Sequence, residues 1–181
     1  MLDKKTILGL SIGAGIVLAS LFFAVQRELI IFNWRQAIVP ASQDLANSHK
    51  QIVKIYFWKN QHWNFEKTEI LWGNQLNNNL TSLTQAWLNQ LEEEGLIKHK
   101  ITLQSVLLNA NGQIAYLSFD QSLFRKQHST AQKLYLIESL GKTWRENGIK
   151  VPQVQLLLRH KIYPDHHLDF STPWPVNGFL T

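Results

Sequence analysis

Apolar and polar positions alternate along Gln51–Trp58, with Val53, Ile55 and Phe57 on one side and Lys54, Tyr56 and Trp58 on the other. A period of two in β-branched and aromatic residues predicts a strand. Asn60 to Asn64 is polar and reads as a loop. Glu69 to Trp72 reads as a short strand before a turn at Gly73-Asn74. The period then changes. Leu76, Leu80, Leu83, Trp87 and Leu91 follow at steps of 4, 3, 4 and 4, which sets one apolar stripe along a helix. Asn77, Asn78 and Asn79 are its expected N-cap, and Gly95 its stop. Ile101–Leu108 and Gln113–Phe119 are strand-like runs on either side of Asn109-Ala110-Asn111-Gly112, which predicts a hairpin. Ser129 and Gln132 match a capping box at the head of a second helix with the stripe Leu134, Ile137, Leu140 or Gly141, and Trp144. Asn147-Gly148 closes that helix, and Val154–Leu158 is a strand of the buried type. The tail holds Pro164, Pro173 and Pro175 and reads as irregular, with one short strand over His167–Phe170.

The order strand, helix, strand, strand, helix, strand predicts an α+β fold. It is a two-layer sandwich with the helices on one face of a mixed sheet. Residues 51–181 are enough chain to bury such a core.

Ahead of this domain, Ile7 to Val25 runs for 19 residues without a charge. That is long enough to cross the hydrocarbon core as a helix. Lys4 and Lys5 precede it and favour a cytoplasmic N-terminus. The competing reading is a signal peptide cut at Ser20, after the small residues Val17 and Ala19. Apolar residues continue through Phe22, Phe23 and Val25, which favours an uncleaved signal anchor. The expected organisation is a cytoplasmic stretch 1–6, a transmembrane helix 7–25, a linker 26–50 and an extracytoplasmic domain 51–181.

Composition narrows the function. With no cysteine, thiolate nucleophiles, disulfides, Cys-ligated metals and acylation of a lipoprotein cysteine are excluded. The net charge is +5, but from Gln51 onward 13 basic residues face 10 acidic ones, and no basic run exceeds two. A nucleic-acid partner is not expected, because that needs a basic stripe or patch. Seven tryptophans are many for this length and point to packing at a partner or membrane surface.

Candidate chemistry is sparse. Asp165, His166, His167 and Asp169 crowd the tail, and His160 or His128 would have to complete a metal site. A polar loop in which Asp169 bonds backbone amides is the favoured reading, so no metal or cofactor is expected. Asp120 with Glu138, or Asp165 with Asp169, are the only carboxylate pairs that suggest hydrolysis, and no serine lies in a Gly-x-Ser-x-Gly elbow. The chain reads as a non-enzyme. Trp87 and Trp144 lie on helical stripes and are expected in the core. Trp174 is expected to fold back against the sheet.

The pattern resembles the GerMN domain of sporulation, spore-germination and other bacterial envelope proteins. The resemblance rests on Val53-Lys54-Ile55-Tyr56-Phe57, on Ala86-Trp87-Leu88 through Gly95-Leu96, and on Ala115-Tyr116-Leu117-Ser118-Phe119-Asp120. Ser129-Thr130, Leu134, Ile137-Glu138-Ser139-Leu140 and Val154-Gln155-Leu156-Leu157 complete it, so that it covers Gln51 to Lys161. It implies a non-enzymatic assembly or interaction module, similar to ring-building motifs, in a secreted or membrane-anchored protein; with the run Ile7 to Val25 as anchor, the expectation is a single-pass protein of the bacterial cytoplasmic membrane with its domain outside. This chain has one module where the sporulation protein has two, and it lacks the lipidated cysteine common in the family. The expected contacts are acidic Glu92, Glu93 and Glu94 against basic Arg125 and Lys126, meeting head to tail between copies. The alternative is a cell-wall polymer stacked on Trp58, Trp63 and Trp174.

Overall fold

The computed structural model describes residues 48–178. The apolar run Ile7 to Val25, with the anchor expected there, and the expected linker as far as residue 47 lie outside these residues; His49 and Lys50, expected at the end of that linker, already belong to the first strand. Among the described residues no helix is long and apolar enough to cross a membrane.

The first correction concerns residues 60–72. Strand β1 (His49–Lys59) turns directly into an equally long antiparallel strand β2 (His62–Trp72). The expected loop shrinks to Asn60 and Gln61, both at positive φ, 54° and 66°. Two successive left-handed residues make the tight hairpin turn whose twist matches that of the strands. Asparagine accepts this conformation readily and glutamine less so, which is why the turn was hidden in the sequence. The exposed polar residues of β2 (Glu66, Lys67 and Glu69) masked the strand in the same way.

Helix α1 (Leu76–Glu93) buries Leu80, Leu83, Trp87 and Leu91 of the stripe predicted from spacing, and Leu88 beside them, while Leu76, the first member of that stripe, is exposed at the head of the helix. Its N-cap is Gln75, without a side-chain cap, and not the asparagine run. Asn79 instead turns back and bridges the Gly73 N–H and C=O, both at 2.8 Å, and so fixes the connection from β2. Gly95, at φ +68°, ends the helix as expected. Strands β3 (Leu103–Leu108) and β4 (Ile114–Phe119) form the predicted hairpin, in which Asn109 Oδ1 accepts the N–H groups of Gln113 and Ile114. Helix α2 (Thr130–Glu146) starts with the predicted capping box between Ser129 and Gln132.

Strand β5 (Gln153–Leu158) runs parallel to β4, and α2 makes the crossover. Parallel neighbours need such a connection. On the other side of β5 lie two two-residue strands, β6 (Lys161–Ile162) and β7 (Trp174–Pro175), both antiparallel to it. The expected strand at His167–Phe170 is absent from the described residues, and the tail regains the sheet later, at Trp174.

The molecule therefore has two sheets where one was expected: the β1-β2 ribbon and a mixed five-stranded sheet ordered β3-β4-β5-β6, with β7 also on β5. Val53, Ile55 and Phe57 of β1, Leu80, Leu83, Trp87, Leu88 and Leu91 of α1, Leu136, Ile137, Leu140 and Trp144 of α2, and Ala115, Leu117, Phe119, Val154 and Leu156 of the larger sheet nevertheless form one continuous core, in which Leu136 takes the place expected of Leu134. Trp87 and Trp144 sit inside it, and Trp87 donates its indole N–H to Ser139 of α2 at 3.0 Å.

Candidate functional site

One face of the ribbon looks into the core and the other does not. Because opposed residues of an antiparallel pair share a face, the outer face carries the pairs Trp58–Trp63, Tyr56–Phe65, Lys54–Lys67, Ile52–Glu69 and Lys50–Leu71. Ile52, Phe65 and Leu71 are 68%, 48% and 52% exposed. Lys54 and Lys67 oppose each other, which is unfavourable, but Lys54 Nζ lies over the Phe65 ring, 5.3 Å from its centroid. Lys50 bonds Glu69 at 2.6 Å across the same face.

Helix α2 borders this face along the free side of β1. Thr143 Oγ1 accepts the Tyr56 N–H at 2.9 Å. Asn147 accepts the Lys54 N–H at 3.0 Å and donates to the Lys54 carbonyl at 2.7 Å. These side chains, four residues apart on one helix face, take the place of a neighbouring strand. The same helix stacks Tyr135 on Trp58, with centroids 4.3 Å apart and planes 2° from parallel. Trp63 meets both rings edge-on. Lys142 places its ammonium over Tyr56 and Trp63, at 5.0 and 5.8 Å. Burial, then the nearby Glu146 carboxylate, pushes the Tyr56 phenol above its usual range.

At the hairpin tip a cavity of about 340 Å³ opens between the turn and the first turns of α2, lined by Trp58, Asn60, Gln61, His128, Gln132 and Tyr135 among others. Its Lys59 is paired with Glu94 at 2.6 Å. Burial first, then the charges of Arg125 and Lys133, holds His128 below the usual imidazole range. The ring accepts the Arg125 N–H through Nδ1 at 3.2 Å.

The fold redistributes the residues singled out by sequence. Glu92 and Glu93 are exposed at the end of α1, while Glu94 is half-buried against Lys59. Arg125 is half-buried and donates to the Gly95 carbonyl at 2.7 Å, so it joins the acidic helix end within one chain; Lys126 is exposed. Trp58 and Trp63 come together. Trp174 sits on the other sheet beside Phe170, with ring centroids 5.7 Å apart, and belongs to a cluster with Phe124 and Tyr163. Tyr135, Lys142 and Phe65 were missed. The first two lie seven residues apart, hence on one helix face, but both fall off the apolar stripe.

The candidate acids hold structure together. Asp165 forms a buried ion pair with Lys133 and accepts the N–H groups of His167 and Leu168. Burial alone would raise its pKa, but the Lys133 ammonium and the two amides outweigh it and hold the carboxyl below the usual range. Asp169 accepts the Ser171 N–H, as expected. Asp120 accepts the Thr102 N–H at 2.7 Å, and Glu138 pairs with Arg145 at 2.6 Å. Among the described residues no three His, Asp or Glu side chains converge as metal ligands.

No family model matches the sequence. No curated protein matches it either. Among solved structures the chain is similar to a protein of Clostridium perfringens provisionally described as a lipoprotein, at 16% identity and a TM-score of 0.47, over 74% of this chain and 91% of that one. It is also similar to the tandem GerMN domains of the sporulation protein GerM from Bacillus subtilis, at 18% identity and a TM-score of 0.43, over 76% of this chain and 49% of that one.

Proposed function

We propose that this chain is a non-enzymatic, membrane-tethered protein of the bacterial envelope whose domain binds protein through the outer face of the β1-β2 ribbon and the adjoining side of α2. The observation that carries the reading is the continuous surface of Trp63, Phe65, Ile52 and Leu71 set among Lys54, Lys67 and Lys142. Aromatic and aliphatic side chains gathered in the open on one face are characteristic of protein-binding surfaces. The uncharged run Ile7 to Val25 supports the tether. The structural bonding of Asp120, Glu138 and Asp165 supports a non-enzymatic role. Glu92, Glu93 and Lys126, all exposed, offer charged contacts to the same partner or to a second copy.

A photo-reactive residue placed at Phe65 in cells tests this. A discrete protein adduct is expected from Phe65, and none from exposed Asn89 on α1. No protein adduct at Phe65 would refute the reading. A second reading, cell-wall binding, is favoured by the cavity beside Trp58, whose aromatic wall and side-chain amides suit a neutral sugar ring. Co-sedimentation with purified peptidoglycan that is lost in Trp58→Ala would establish it instead.

A further inference from the structure

The β1-β2 ribbon has two edges, and they differ. Backbone groups of Lys54 and Tyr56 point at α2 and are bonded by Asn147 and Thr143. N–H and C=O alternate sides along a strand. Val53, Ile55 and Phe57 therefore bond toward β2, opposite Thr68, Glu66 and Asn64. On β2 the remaining residues, Phe65, Lys67, Glu69 and Leu71, must direct their N–H and C=O groups outward. Among the described residues no backbone partner meets them. These four side chains are also exposed.

Resting on the reading of the ribbon as a protein-binding element, we infer that the occupant of this edge is β2 of a second copy, paired antiparallel about a two-fold axis at Thr68. The sequence of β2 selects that register. A two-fold axis perpendicular to the sheet keeps each side chain on its own face, so outward-bonding residues pair only with one another. An axis at Lys67 sets lysine against lysine, and one at Glu69 sets glutamate against glutamate. With the axis at Thr68, Lys67 of each copy meets Glu69 of the other, and Phe65 meets Leu71. The ladder ends at Leu71, because the N–H and C=O of Gly73, which falls opposite Trp63, are already bonded by Asn79. Charges on an edge strand ordinarily discourage pairing. Here their spacing of two makes the edge complementary to itself. Tethering in one membrane raises the effective concentration, so a contact of one strand per copy is enough.

In this register the two Thr68 residues form a non-hydrogen-bonded pair, with Cα atoms about 4.5 Å apart, within disulfide range. The wild-type chain has no cysteine, so Thr68→Cys in the full chain in detergent micelles gives an unambiguous readout. Mild oxidation is expected to link most of it as a dimer, whereas Lys67→Cys links poorly. In light scattering, Lys67→Glu, an exposed change that leaves the fold intact, weakens the dimer about tenfold. Adding Glu69→Lys to it restores the wild-type mass. A folded Thr68→Cys chain that stays monomeric, or a Lys67→Glu chain of unchanged mass, overturns the pairing. If Phe65 still cross-links to another protein in that case, the binding-face reading survives; if it does not, both fall.

Discussion

Thr143 is fully buried, and its hydroxyl is what gives the inner edge of β1 a partner. Replacing it with valine keeps the volume and the β-branch, so packing and helix propensity change little. What is lost is the acceptor for the buried Tyr56 N–H and a weaker bond, at 3.5 Å, to the Tyr56 carbonyl. An orphaned buried donor costs about 1–3 kcal/mol, more than a merely absent bond, because water cannot replace the partner. Thr143→Val is expected to fall in that range. Thr143→Ser keeps the hydroxyl, removes one methyl and costs about 1 kcal/mol. Urea unfolding of the compact unit Ser42–Thr181 measures both. Amide exchange localises the effect, since the Tyr56 N–H should lose protection in the valine variant while Val53 and Ile55, bonded to β2, keep theirs. If Thr143→Val is as stable as wild type and Tyr56 stays protected, the helix is not what satisfies this strand.

Other consequences are as direct. Lys133→Met strands the buried Asp165 carboxylate and should cost about 3–5 kcal/mol in guanidinium unfolding, with part of the loss recovered by adding Asp165→Asn. Gln61→Gly relieves a left-handed non-glycine residue in the hairpin turn and should stabilise by about 1 kcal/mol in thermal melts. Because the Asp165 pKa lies below its unfolded value, near 3.9, its contribution is present above about pH 4 and is lost as pH falls through the folded value. His128 is also depressed, so below about pH 6.5 the unfolded chain takes up a proton that the fold resists. Stability should decline from there, and His128→Gln should flatten the profile between pH 6.5 and 5.

What the sequence revealed was whatever periodicity writes down. The stripe from Leu80 to Leu91, the capping box at Ser129 and the Asn-Gly turn all depend on local spacing, and all are present. The ribbon was read only halfway. One of its faces meets solvent, so β2 shows weak alternation, and its turn uses glutamine where glycine would have announced it. The separation into two sheets was not legible, because it depends on α2 standing where another strand would pair with β1. The site suffered likewise. Trp58 and Trp63 were found as residue types, but their union with Tyr135 and Lys142 is a tertiary fact. Trp174 looked equivalent in the sequence and belongs elsewhere. Arg125 and Glu94 looked like the two ends of a contact between copies, and the fold sets them beside one helix terminus.

The side-chain clamp of Thr143 and Asn147 also governs growth. A ribbon open on both sides is a template that passes its pairing on, copy after copy, and leads toward fibres. Here one side is already occupied by a helix of the same chain. Among the described residues the ribbon leaves one edge without a backbone partner, and a strand that fills it leaves none for the next arrival. The helix thus acts as a chain terminator.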